Sequence, residues 1–170
     1  MNFRNRKVLN LFLSLVLVLG ILLGTVPMTA FAEDGDVKKL TIVHVNDVHG
    51  RVELDEREGA IGLGRLKTKV EELREENPNI LLLNAGDTLH GTTMVNVTKG
   101  ETMVDLMGLV GFDVMVPGNH DFNYGYERLL ELKERAKFPI IGSNIVKESD
   151  GTSDFEPYVI KEFDDGLKVG

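Results

Sequence analysis

From residue 38 onward the apolar positions switch repeatedly between the rhythm of a strand and that of a helix. Leu40 to Val45 is apolar and β-branched and closes on Asn46-Asp47, which predicts a strand running into a loop. Between Ile61 and Glu76 the apolar residues at 63, 66, 70 and 73 recur at helical spacing until Asn77-Pro78 stops them. Ile80 to Leu83 is a continuous apolar run, the pattern of a strand covered on both faces, and it ends in Asn84-Ala85-Gly86-Asp87. A second helix is predicted over Thr102–Val110, with Met103, Leu106, Met107 and Val110 on one face and a stop at Gly111. Val114–Val116 reads as a short strand closed by Pro117-Gly118, Tyr126–Lys137 as a third helix, and Ile140-Ile141 as the opening of a fourth strand. This alternation predicts an α/β fold built from βαβ units around a mostly parallel sheet. Pro157–Phe163, the turn Asp164-Asp165-Gly166 and Leu167–Val169 add a hairpin whose return strand is barely begun. A ladder left half built marks the sequence as the N-terminal part of a longer protein, truncated in that hairpin.

The first 32 residues follow a different logic. Arg4, Arg6 and Lys7 precede an apolar run over Val8–Leu23, and Ala30-Phe31-Ala32 has the small-x-small pattern of a cleavage site. Residues 1–32 are therefore expected to be an export signal peptide and residues 33–170 the exported chain. A single membrane anchor is the competing reading of the apolar run. Gly20, Gly24 and Pro27 interrupt its end and the acidic Glu33–Asp36 follows, which favours cleavage and a secreted, extracellular or cell-surface protein with no stable membrane span. The chain is acidic, with 27 Asp and Glu against 19 Lys and Arg and a formal charge of -8. It lacks the basic stripe that a polymeric nucleic acid requires. With no cysteine there is no disulfide framework, thiolate ligand or cysteine nucleophile, so any metal must be held by oxygen and imidazole.

In sheets of this kind ligands gather where loops leave the C-terminal ends of the strands. The first three predicted strands each end in a loop rich in such donors: Asp47-Val48-His49-Gly50, then Gly86-Asp87, then Gly118-Asn119-His120-Asp121. If the chain stays extended, Asp47 and His49, two apart, point the same way and can grip one cation. Asp87 has two carboxylate oxygens with which to bridge two cations, and Asn119 offers a neutral carbonyl oxygen. Alone, an Asp-x-His or a Gly-Asp is commonly a loop or capping element; three such clusters at successive strand ends point to a metal centre.

These residues resemble the calcineurin-like metallophosphoesterases, and within them the secreted branch of 5'-nucleotidases and 2',3'-cyclic-nucleotide phosphodiesterases. The resemblance rests on Val45-Asn46-Asp47-Val48-His49-Gly50, on Asn84-Ala85-Gly86-Asp87-Thr88 with Gly91, and on Val116 through Gly125, and it extends over residues 38 to 170. It implies part of an α/β/β/α sandwich and a centre of two divalent metal ions, with mixed nitrogen and oxygen ligands favouring Mn, Zn, Fe or Co. Asp47 and His49 would hold the first metal, Asp87 would bridge both, and Asn119 would bind the second. His120 would contact the scissile phosphate, either stabilising its charge or protonating the leaving oxygen, and Asp121 would orient and polarise that imidazole. The reaction implied is hydrolysis of a small-molecule nucleotide phosphoester by a metal-bridging hydroxide. A related phosphodiesterase, a sulfur-ester hydrolase of the same superfamily or a non-catalytic surface-binding module are the alternatives.

Family members supply further ligands from later histidines, whereas only His44 and His90 remain here. His44 sits inside the first strand and is expected to be structural, and His90 is expected to be a loop residue. The stretch therefore carries about half a metal centre and is expected to be inactive alone. Asn123 stands where many family members have Asp, and no chemistry is assigned to it.

Overall fold

The computed structural model describes residues 37–170. The expected export signal lies outside them. Strand β1 (Thr41–Val45) leads through a long loop into helix α1 (Leu63–Glu76), and strand β2 (Ile80–Asn84) follows. A short helix α2 (Thr93–Val97) precedes α3 (Glu101–Val110) and strand β3 (Val114–Met115). A 3-10 turn over Asn119–Phe122, helix α4 (Tyr126–Arg135) and the strands β4 (Lys161–Glu162) and β5 (Lys168–Val169) complete the order. Among the described residues no helix is long and apolar enough to cross a membrane.

β2 lies between β1 and β3, and both pairings are parallel, so the expected βαβ arrangement is present. The helices cover one face of this sheet. Leu63, Leu66 and Val70 of α1, Met103, Val104 and Met107 of α3, and Leu129 and Leu132 of α4 bury against Leu82 and Met115. Val43 and Val45 of β1 pack against the same cluster, whereas Ile42 and His44 alternate to the other side and are exposed. That second face stays open and apolar among the described residues: Ile42, Leu83, Val114, Val116 and Tyr158 border a groove there.

Four departures from the sequence expectation have physical causes. The strand at Ile140-Ile141 is reduced to two single bridges, Ile140 with Met115 and Ile141 with Glu156. The strand expected over Pro157–Phe163 pairs, among the described residues, only at Lys161 and Glu162, against the two-residue β5. Helix α2 went unrecognised because five residues with one buried apolar side chain, Val95, show no period. The 3-10 turn was hidden inside the polar cluster Asn119-His120-Asp121, and it is held by groups from another loop.

Candidate metal centre

The parallel register brings three strand ends to one level. Val45 pairs with Asn84, and Asn84 with Met115, so the loops that follow leave the sheet side by side. Backbone bonds join the first two loops. Asp47 N–H donates to Gly86 C=O at 3.0 Å, His49 N–H to Asp87 C=O at 2.9 Å and Gly50 N–H to Thr88 C=O at 3.1 Å. The result is a triangle of donors: Asp47, His49 and Asp87 each present one ligand atom, all within 4.8 Å of one another. Nε2 of His49 is 3.8 Å from Oδ1 of Asp47, and Oδ2 of Asp47 accepts from Asn46 Nδ2 at 2.6 Å. Such a neighbour fixes the direction in which the other carboxylate oxygen points.

The convergence does not come from an extended chain, as the sequence had suggested. Asp47 and His49 have φ values of 53° and 47°, and Asp87 has 53°, all in the left-handed region. Of the four non-glycine residues with positive φ among those described, three are these donors and the fourth is Lys99. Each such residue costs about 1–3 kcal/mol, and the cost persists only where surrounding bonds over-determine the backbone. Here the ladder between the two loops does so. Strain concentrated on three converging donors fits a pre-organised cation site, and two carboxylates with an imidazole suit a divalent ion.

The third loop is tied to the second by Asp121. This carboxylate is only 1% exposed. Oδ1 accepts from the backbone N–H of Thr88 at 2.9 Å and Leu89 at 2.7 Å, and Oδ2 from those of Asp87 and Gly118, both at 2.8 Å. The expectation that Asp121 orients the His120 imidazole is thus corrected: its oxygens are taken by backbone donors, and it positions the loops. The side chain at the His120 ring is Asn123, with Nδ2 3.1 Å from Nδ1. With that amide donating, Nδ1 accepts and the ring proton sits on Nε2. The i, i+3 spacing of His120 and Asn123 was the available signal, because side chains three apart eclipse in a 3-10 turn.

His120 is exposed and is bound to the triangle through its backbone, donating N–H to Oδ1 of Asp87 at 2.8 Å. Its ring centroid is 5.1 Å from that of His49. Asn119, also exposed, lies between His120 and Gly118. A Cβ at Gly118 would overlap the Asp87 carboxylate, so only glycine allows this approach. His49, His90, His120 and Asn123 line a cleft of about 590 Å³ together with Arg51, Asp55 and Glu58, a volume in the range of small-molecule sites. His44 faces away on the open side of β1.

A family model for calcineurin-like phosphoesterases matches residues 40–168, spanning all three loops. The chain belongs to the calcineurin-like phosphoesterase family. Among curated relatives, a 5'-nucleotidase of Rattus norvegicus is 43% identical over 117 residues, which cover 63% of this chain and 20% of the rat protein. A snake venom 5'-nucleotidase of Gloydius brevicauda is 38% identical over 131 residues, covering 72% of this chain and 22% of its own length. The crystal structure of calcineurin-like phosphoesterase YfkN from Bacillus subtilis superposes with a TM-score of 0.63 at 28% identity, over 76% of this chain and 45% of that one. The chain thus spans about a fifth of the length of the curated relatives it matches. As a phosphoesterase-family chain it places Asp47, His49 and Asp87 in one cluster, with the backbone flanking Asn119 against Asp87.

Proposed function

We propose that this chain is the N-terminal part of the catalytic domain of an exported two-metal phosphohydrolase that hydrolyses nucleotide phosphoesters. The observation that carries the proposal is the convergence of Asp47, His49 and Asp87 within 4.8 Å, with His120 bound to Asp87 through its backbone and lining one cleft with His49. Family membership and the 5'-nucleotidase relatives support the nucleotide as substrate. Asp47, His49 and Asp87 would hold the first divalent cation, and Asp87 together with the neutral oxygen of Asn119 would hold a second. When bound, such cations would supply the positive charge that offsets the phosphoryl oxygens and acidifies water.

The remaining chemistry belongs to this chain's side chains. Asn123 holds Nδ1 of His120, so Nε2–H is the group that donates to the phosphoryl or leaving oxygen. Asp121 keeps the Asp87 and His120 loops in register. Asp47, His49 and Asp87 gather three donors for the first ion, whereas Asn119 alone is added for the second, which makes the second ion the one this stretch holds least well.

The test uses the full-length protein, with phosphate release from nucleoside monophosphates and 2',3'-cyclic nucleotides measured with and without chelator. Asp87→Ala is expected to lose both metal occupancy and turnover. His120→Ala is expected to keep its metals and to slow hydrolysis on the order of a hundredfold or more. Emptied metal sites in His120→Ala at saturating manganese would overturn the division of roles.

A further inference from the structure

The cleft contains an imidazole that the scheme above leaves unused. His90, half-buried, lies three residues beyond Asp87 and lines the same cleft as His49 and His120. Its ring is nearly parallel to that of His120, with centroids 6.2 Å apart and planes 13° from each other. The His120 ring therefore has two imidazole neighbours, His49 with centroids 5.1 Å apart and His90 with centroids 6.2 Å apart.

His90 is held on this wall by several contacts. Tyr124 packs against its ring at 5.2 Å. The Tyr124 hydroxyl donates to Asn96 Oδ1 at 2.6 Å, and burial raises its pKa, which keeps it protonated as a donor. Asn96 in turn closes a pair of bonds on Gly91, accepting from its N–H and donating Nδ2–H to its C=O, both at 2.9 Å. Gly91 has φ 149°, and a Cβ there would collide with the His49 carbonyl. The backbone next to His90 is thus fixed against a proposed metal ligand. His120 and Tyr124 flank the ring, and among the described residues no group hydrogen-bonds its nitrogens. An imidazole that lines the cleft with both nitrogens unpaired offers one N–H donor and one nitrogen acceptor to whatever enters.

We propose that His90 is a substrate-binding, specificity-determining residue that hydrogen-bonds a sugar hydroxyl on the leaving-group side of a nucleotide whose phosphate sits at His120. The inference rests on the phosphohydrolase reading and deepens it by assigning a residue to the nucleoside half. A ring nitrogen beside the phosphoryl-facing histidine matches a hydroxylated leaving group and has nothing to bind in an ester that lacks hydroxyls.

The experiment compares AMP with p-nitrophenyl phosphate in the manganese-loaded full-length protein and its His90→Ala and His90→Gln variants, with metal content and unfolding midpoint checked for each. His90→Ala is expected to lower kcat/KM for AMP about tenfold more than for p-nitrophenyl phosphate, mostly through KM, the size of one neutral hydrogen bond. His90→Gln, which keeps a donor and an acceptor, is expected to recover most of that loss. Equal losses on both esters, or none, would overturn the assignment. A wild-type protein that releases phosphate from neither ester would refute the hydrolase reading instead. Calorimetry then decides for His90: His90→Ala must weaken a nonhydrolysable AMP phosphonate about tenfold more than inorganic phosphate, and equal weakening refutes the proposal.

Discussion

Replacing Asp121 separates a structural role from a chemical one. Its two oxygens accept four backbone N–H groups at 2.7 to 2.9 Å in a site 1% exposed. Hydrogen bonds to a charged acceptor are worth roughly 1.5–3 kcal/mol each, and a buried donor left unpaired costs about 1–3 kcal/mol. Asp121→Ala strands all four donors. Water entering the vacated space recovers part of the cost, so the expected loss is about 4–5 kcal/mol, at the extreme end for a point substitution. Asp121→Asn keeps one oxygen but turns an NH2 against either the Thr88–Leu89 pair or the Asp87–Gly118 pair, for an expected loss of about 2–3 kcal/mol. Urea unfolding measures both values, and amide exchange at Thr88 and Leu89 locates them. Metal affinity falls in parallel, because Asp87 is among the residues whose backbone is released. An Asp121→Asn protein whose stability stays within about 0.5 kcal/mol of wild type while phosphate release collapses would refute this reasoning and return Asp121 to the chemistry at His120.

Two further outcomes are expected. Gly91→Ala forces a side chain into the His49 carbonyl at a φ of 149°, so it is expected to weaken manganese binding and to lower the unfolding midpoint together; titration calorimetry and thermal melts check the pair. Asp154 accepts from Lys147 at 2.9 Å and from the Tyr126 hydroxyl at 2.8 Å, and Lys147, then Tyr126, hold its carboxyl below the usual carboxylate range. A depressed folded pKa gives stability that is complete above the ordinary value of about 4 and is lost as pH falls through the folded one. Asp154→Asn is therefore expected to be less stable than wild type at neutral pH, with the gap closing below about pH 4; a gap that stays constant on acidification argues against the linkage.

Local pattern alone was enough to recognise the three longer helices, α1, α3 and α4, and the paired parallel strands. The leucines and methionines of α1, α3 and α4 recur at helical spacing because one stripe must bury, and Ile80 to Leu83 is a continuous apolar run, so period and run length carry the elements. The donor types were equally legible, since Asp47, His49, Asp87, Asn119 and His120 follow strand ends where loops carry chemistry. What those donors do to one another was not. Asp121 looked like a partner for the adjacent His120, yet three of the four amides its oxygens accept from are 32 to 34 residues away in sequence, and no local spacing encodes an acceptor for a distant backbone. Likewise the left-handed turns at Asp47, His49 and Asp87 hold only because two loops bond to each other, a long-range condition that overrides the extended geometry the dipeptide spacing favours. Composition and order therefore determined which atoms are available for chemistry. The parallel register of the sheet and the amide ladder between its loops decided where those atoms point, because backbone hydrogen bonds must be satisfied across the fold as a whole.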